Sequence, residues 1–405
     1  SRHMIVHAPD ASAVQMWVAH DFVLSRLRIP EGAPDVSLVG GAVRDALLGV
    51  THGPDVDLVV EGDAIALARE IGRRLGGRVV AHDHFGTARL MFAHGRHVDL
   101  VSARRESYSA PGALPDVQPG TLADDLARRD FTVNAIAYRL SGAGRGSLVD
   151  PHGGRDDLAA RTLRVIRPDS FEEDPSRVVR ALRYASRLGF HLDAETATQA
   201  RVCLATLNLA SSRVGDELRR LLHEDSAAGA LDIACALGAD WPNPDDQRGD
   251  RLGAVPGALA RPGAPAPPSW ALGLGLGLTP ERAATAAVPG WARAVALEVR
   301  TGVGLATALR SVSRPSEVDA MLRGRSAAEQ VGALIGGAEV VAQWWEEWRD
   351  CTPEVGGADL VAAGMAPGPA IGRALRAVRC AVLDGHGGDR DAQLRLALAV
   401  ARARE

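Results

Sequence analysis

The sequence predicts an α+β protein, with a small mixed sheet and its helices near the N-terminus and helices alone after it. Three observations carry this expectation. Between about Val36 and Tyr138, apolar runs of strand length (Val36 to Val39, Asp55 to Val60, Ala88 to Phe92, His97 to Val101) alternate with a helical stretch from Asp63 to Leu75. Beyond Asp150-Pro151-His152-Gly153-Gly154 the periodicity turns helical and no further strand is expected. A chain of 405 residues is also too long for one ordinary core, so several compact units are expected.

Composition narrows the function classes. The formal net charge is −4, so no global basic field marks a nucleic-acid binder and any such surface has to be a local stripe. There is no lysine, and every one of the 46 Lys+Arg positions is arginine. Arginine is the better bidentate partner for phosphates and base edges, although genome composition explains the bias more simply. No apolar run reaches the roughly 18 residues that span a bilayer, and the start shows no charged, apolar, cleavable leader. A soluble, cytoplasmic protein with no membrane contact is expected. Cys203, Cys235, Cys351 and Cys380 are far apart, without a CxxC pair or a His at zinc-ligand spacing, which predicts reduced thiols and no structural zinc.

The first chemical constellation lies in the strand region. Gly40 and Gly41 follow the apolar run Leu38-Val39 and precede the helical run Ala42-Val43-Arg44-Asp45, so backbone N–H groups there can approach a polyphosphate with no Cβ in the way. In the run Gly53-Pro54-Asp55-Val56-Asp57-Leu58, residues two apart on a strand share a face, so Asp55 and Asp57 project together and can hold divalent cations. Two hard cations roughly 3.5–4 Å apart can activate a 3′-hydroxyl and hold a triphosphate as pyrophosphate leaves. Asp99, in the run His97 to Val101, is the candidate third carboxylate. Alone, such an acidic pair is usually two solvated turn residues; behind Gly-Gly-x-Val-Arg-Asp it reads as a metal clamp.

Ala103 to Leu122 carries Pro111, Gly112, Pro115, Pro119 and Gly120, which predicts a long mobile loop. Arg177, Arg180, Arg183 and Arg187 recur at helical steps and make one face basic. Pro242 to Pro268 reads as a linker between two helical regions. After Trp270 come short helical patterns, ending in Pro369 to Asp384 and Arg390 to Arg404.

In order, Gly40-Gly41 with Arg44-Asp45, the Asp55-Val56-Asp57 pair, Arg128-Arg129-Asp130 through Asn134-Ala135, and Glu173-Asp174-x-x-Arg177 resemble the class II tRNA nucleotidyltransferases and bacterial poly(A) polymerases, members of the polymerase β-like superfamily. The resemblance is clear over about residues 36 to 225 and returns near the C-terminus. It implies a mixed-sheet nucleotidyltransferase head (4–140), a helical neck that selects the nucleobase (141–240), a helical body (241–350) and a helical tail for tRNA (351–405). It also implies two Mg2+ ions, CTP and ATP as substrates, and the 3′ acceptor end of tRNA as partner. Arg128, Arg129, Asp130 and Asn134 are assigned by it to the sugar and triphosphate site, with Gly40, Gly41, Arg44 and Asp45. On the residues alone, Arg129 and Asp130 also read as a pair capping a helix that begins near Phe131.

Asp174 and Arg177, at i,i+3 on a helix, would share a face and offer one acceptor beside a fork of donors. Cytosine and adenine both present an exocyclic amine next to a ring-nitrogen acceptor, the complement of that pair, while uracil and guanine invert the pattern. At about 1–3 kcal/mol per mismatched buried contact, the two together give roughly thirty-fold to ten-thousand-fold discrimination with no nucleic-acid template. Without the upstream motifs the same pair would read as a surface ion pair. Arg180 and Arg183 continue the face toward phosphate contacts or plain solvation.

At the C-terminus, Gly356-Gly357-Ala358-Asp359-Leu360 leading into Gly364-Met365-Ala366-Pro367-Gly368-Pro369 resembles the tail of CCA-adding enzymes. Arg373, Arg376 and Arg379 follow at helical spacing, where they either track phosphates or stay solvated on a packed helix. Enzymes of the family add CCA, CC or the last A. Relatives that add only CC lack most of a flexible loop between the catalytic aspartates and Arg-Arg-Asp, and Ala103 to Leu122 supplies such a loop, which favours addition of the terminal A. The alternatives are a poly(A) polymerase, a CC-only enzyme and an inactive RNA-binding relative.

Overall fold

The strand-like alternation resolves into β1 (Val36–Val39), β2 (Asp55–Val60), β3 (Arg78–His82), β4 (Thr87–Met91), β5 (His97–Ser102), β6 (Arg104–Ser107), β7 (Asp116–Pro119), β8 (Ala137–Arg139) and β9 (Leu148–Val149). The computed structural model describes residues 10–21, 23–27, 29–30, 32–50, 55–83, 86–107 and 116–402, with Asp55, His94, Glu106, Ser107, Asp116 and Val117 described in their backbone alone. Seven strands form one mixed sheet in the order β3-β4-β5-β2-β1-β8-β9. β2 and β5 pair in parallel, and the other neighbours are antiparallel. The α+β expectation therefore holds.

Central strands are the apolar ones. Leu38, Val39, Leu58, Val59, Val60 and Leu100 are each at most 1% exposed, which is why their runs are readable from sequence. The helix Ala64–Leu75 starts at Asp63, whose carboxylate accepts from Ile65 N and Ala66 N at 2.9 Å, and it buries Leu67, Ala68 and Ile71. β3 was not foreseen. It is an edge strand with no fully buried residue, so no apolar alternation marks it.

Two further expectations are corrected. The Ala103 to Leu122 segment is not a plain loop at its base, because β6 and β7 pair antiparallel from Arg104↔Pro119 to Ser107↔Asp116; residues 108–115 lie outside the described residues. After Gly154 a two-residue parallel pair does appear, β10 (Thr162–Leu163) with β11 (His191–Leu192), each too short to carry a period.

Contacts divide the chain into two compact units, Ser1–Leu207 with Ile233–Ala239, and Asn208–Asp232 with Asp240–Glu405. The second unit is helical. Within it, the stretch expected as a linker contains the helix Arg248–Leu259, in spite of Pro256 inside it. Val255 and Ala258 are buried against Leu272 and Leu276, so apolar burial outweighs the unfavourable local composition. The helices Gly290–Arg310 and Ala327–Ile335 approach backbone to backbone. A Cβ on Gly302 would sit 2.0 Å from Glu329 O, and one on Gly332 would sit 2.2 Å from Val299 O, so glycine alone fits there. No described helix is long and apolar enough to cross a membrane.

Asp319 anchors the end of this unit. It is 5% exposed and accepts from Arg323 at 3.0 and 3.1 Å, from Arg379 at 2.9 Å twice, and from Trp344 Nε1 at 2.9 Å. Arg379, expected among the phosphate-tracking residues, is thus a structural tie that also donates to Trp348 O and Arg349 O. The turn at Gly356-Gly357 is likewise closed by its own carboxylate, Asp359 accepting from Gly356 N at 2.7 Å. Arg373 and Arg376 do lie exposed on the helix Pro369–Leu383.

Burial pushes the Asp319 carboxyl up, but hydrogen bonds from Arg379, Arg323 and Trp344 more than offset it and hold it well below the usual carboxylate range. Its stabilisation is therefore complete above the unfolded value of 3.8 and is lost as pH falls through the depressed folded one. Asp319→Ala leaves the largely buried Arg379 guanidinium and the Trp344 indole N–H without their carboxylate, while half-exposed Arg323 turns to water, and a loss of about 3–5 kcal/mol is expected in denaturant unfolding at neutral pH. The deficit should shrink as the pH falls below the carboxylate range.

Candidate active site

A cavity of about 360 Å³ is lined by residues of β1 and β2, the turn at Gly40-Gly41, the 128–134 segment and the helix Ser176–Leu188. All of these lie in the first unit. Gly40, Gly41, Asp57, Arg128, Arg129, Asp130, Asn134, Asp174, Arg177 and Arg180 line it together. They come from sequence positions up to 140 apart, and only the fold assembles them.

Gly40 adopts φ +74°, and a Cβ there would lie 3.1 Å from Arg129 Nη1 and 3.5 Å from Asp57 Oδ2. The turn threads between a carboxylate and a guanidinium, where a side chain would be both strained and crowded. Asp57 is half-buried on β2. In the parallel register its backbone partner is Asp99, and that of Asp55 is His97. Directly paired residues point to one face, so Asp57 and Asp99 share a side of the sheet. Asp99 is outside the cavity lining, and the Arg89 fork grips it at 2.8 and 2.7 Å.

Asp130 is buried, with its oxygens accepting from Phe131 N at 2.8 Å, Asn134 Nδ2 at 3.1 Å and Arg180 Nη1 at 2.9 Å. Burial pushes this carboxyl up, and Arg180 and Asn134 more than compensate, so it stays ionised. The helix expected near Phe131 is only a 3-10 turn, Thr132–Asn134. Arg44 is 2% exposed, bonded to Asp45 at 2.7 Å and to Asn134 Oδ1 at 2.7 Å. With Asp45 it stands behind the cavity and orients Asn134 from there.

The helical spacing assumed for Asp174 and Arg177 is corrected. Asp174 is extended (φ −142°, ψ 94°) and precedes the helix Ser176–Leu188, because Pro175 disfavours the helical region at the residue before it. Its Oδ1 accepts from Ser176 N at 3.1 Å and Ser176 Oγ at 2.6 Å. Asp174 still reaches the same cavity as Arg177. Arg177 is 7% exposed; its Nη1 donates to Ser170 Oγ at 2.9 Å and Glu173 at 3.4 Å, and its Nη2 to Arg128 O at 3.4 Å. Such anchoring holds the guanidinium in one plane.

Arg183 is buried and, like Arg187 and Arg44, lies against the Tyr184 ring, with guanidinium carbons 4.6, 4.9 and 5.1 Å from its centroid. That stacking, and not solvation, accounts for part of the basic face. Sequence reasoning missed Tyr184, which lines the cavity. It stands seven residues after Arg177, and that spacing was the available signal. It also missed Asp125, fully buried beneath Arg128 and Arg129.

A divalent cation suits this wall. Asp57 offers a hard carboxylate ligand and no thiolate, whereas Asp99, expected as the third carboxylate, lies outside the lining with both oxygens taken by Arg89. Among the described residues no three His, Cys, Asp or Glu gather as a metal-holding group, and the Asp55 side chain lies outside them.

A family model described as the poly(A) polymerase head domain matches residues 36–164. The chain is 45% identical over 192 residues to an A-adding tRNA nucleotidyltransferase of Halalkalibacterium halodurans, covering 46% of this chain and 45% of that protein. It spans less than half the length of the A-adding relatives it matches. It is 38% identical over 359 residues to a CC-adding tRNA nucleotidyltransferase of Deinococcus radiodurans, covering 87% of this chain and 85% of that one. Its fold is similar to that of the Thermotoga maritima CCA-adding enzyme complexed with tRNA, with a TM-score of 0.78 at 24% identity over 96% of this chain and 98% of that one.

Proposed function

The chain belongs to the tRNA nucleotidyltransferase family, and from that premise we propose that it adds C, A or both to the 3′ end of tRNA. It would use CTP and ATP, release pyrophosphate and need no template. One observation carries this reading: a single cavity gathers Gly40, Gly41, Asp57, Arg128, Arg129, Asp130 and Asn134 with the base-reading candidates Asp174 and Arg177. Phosphate-approaching glycines, guanidinium forks and a donor-acceptor pair are what a nucleoside triphosphate needs, from its charged tail to its base.

In this reading Gly40 and Gly41 let backbone N–H groups meet the triphosphate, and Arg128 and Arg129 neutralise it. Asp130 and Asn134 face the sugar. Asp174 accepts the exocyclic amine of C or A while Arg177 donates to the adjacent ring nitrogen. Arg180 and Arg183 extend the basic face behind them. Asp55 and Asp57 would hold two Mg2+ ions, and the bound metal would lower the pKa of the attacking hydroxyl and steady the departing charge. The proposed division is a head over 4–140, a neck over 141–240, a body over 241–350 and a tRNA-gripping tail over 351–405, acting in the cytoplasm.

The segment Ala103 to Leu122, with β6 paired to β7 at its base, is read as the loop that accompanies terminal A addition. CC addition is the second reading, favoured by the match to the Deinococcus radiodurans enzyme over most of both chains. The test offers three tRNAs, ending before C, after the first C and after CC, each with one labelled nucleotide. Labelled ATP joining the CC end supports addition of the terminal A. Addition that stops after CC supports the second, and no addition to any end contradicts both.

A further inference from the structure

Asp125, in the short helix Leu122–Ala127, is 0% exposed. Its Oδ1 accepts from Arg128 Nε and Nη2 at 3.0 and 2.5 Å, and its Oδ2 from Arg129 Nε and Nη2 at 3.2 and 3.0 Å. Spacings of three and four residues put both arginines over the carboxylate. Each oxygen thus takes the same edge of one guanidinium, which fixes the plane of both forks.

Both arginines line the cavity and Asp125 does not. With its Nε edge held, Arg129 directs Nη1 to within 3.1 Å of where a Cβ on Gly40 would stand, and to Asn134 O at 3.4 Å. The Arg128 backbone is tied in as well, since its carbonyl accepts from Arg177. Burial pushes the Asp125 carboxyl up, but the charges of Arg129 and Arg128 more than offset it, so the anion persists between two cations.

We infer that Asp125 is a positioning residue: one buried carboxylate that presents two guanidinium forks to an incoming nucleoside triphosphate already oriented. The inference rests on reading the cavity as a nucleotide site. A pre-oriented fork loses less conformational freedom on binding than a mobile one, so the contribution belongs in nucleotide affinity. A residue that merely holds the fold would affect stability and leave nucleotide affinity alone.

The test compares the full wild-type chain with Asp125→Asn and Asp125→Glu, following incorporation of labelled CTP and ATP into truncated tRNA together with thermal unfolding. Asparagine removes the charge and cannot accept from both forks. Glutamate keeps the charge and displaces both forks by one methylene. The expected result for Asp125→Asn is a nucleotide KM raised roughly tenfold or more, with the tRNA KM within about twofold of wild type. Asp125→Glu should show a smaller rise of the same kind. A folded Asp125→Asn enzyme with wild-type nucleotide KM overturns the inference. Where Asp125→Asn fails to fold, Asp125→Glu decides: a raised nucleotide KM supports positioning, and an unchanged one overturns it. A wild-type chain without incorporation is the separate failure of the proposed function.

Discussion

Asp57→Ala, and separately Asp55→Ala, should bring nucleotide incorporation into tRNA down to background while the protein stays folded. Each change removes a carboxylate proposed to hold metal at the wall where β2 meets the Gly40 turn. Metal stabilisation of the reacting charges is worth several kcal/mol, and each ~1.4 kcal/mol is a factor of ten, so a loss of roughly a thousand-fold or more is expected. Asp57 is half-buried, and alanine leaves no stranded apolar cavity behind it. An unchanged melting temperature with absent turnover, measured as pyrophosphate release, fits the assignment. Retained turnover in either variant removes the basis for metal binding at this strand.

Changing Arg177 should relax the choice of nucleotide more than it weakens triphosphate binding. Arg177→Lys keeps a charge near Glu173 and loses the fork, so it disturbs the buried bonds to Ser170 less than alanine does. One lost base contact is worth about 1–3 kcal/mol, or roughly five- to 150-fold in selectivity. The ratio of CTP and ATP incorporation to UTP and GTP incorporation should fall by that factor in Arg177→Lys and Arg177→Ala. Should both variants still exclude UTP and GTP, the base is being read elsewhere.

What the sequence discloses follows physical lines. β1, β2 and β5 are legible because they are central and apolar, and the helix Ala64–Leu75 because Asp63 caps a clear period. β3 is silent because an edge strand buries little. The helix Arg248–Leu259 is disguised by Pro256 and neighbouring glycines, and only packing onto Leu272 and Leu276 reveals it. Most of the cavity lining could be named from motifs, since Gly40, Asp57, Arg129, Asp174 and Arg177 each sit in one.

The motifs do not show which member of a run reaches the cavity. Arg44 turns inward to Asn134, a residue 90 positions away, and that pairing exists only in the fold. Asp174 keeps its place in the site by a different route from the helical one its spacing implies, with Pro175 forcing the chain to extend before the helix starts. Asp125 and Tyr184 lie at readable spacings from Arg128 and Arg177. Their importance depends on total burial in one case and on three stacked guanidinium groups in the other, and neither is visible along a single chain.

The most direct measurement is a competition in which wild-type protein, Mg2+ and a tRNA lacking its 3′ end receive all four labelled nucleoside triphosphates at equal concentration, with no other nucleic acid present. Only C and A should appear at the tRNA end. Extension by U or G at comparable rates, or no extension at all, would contradict the proposed activity.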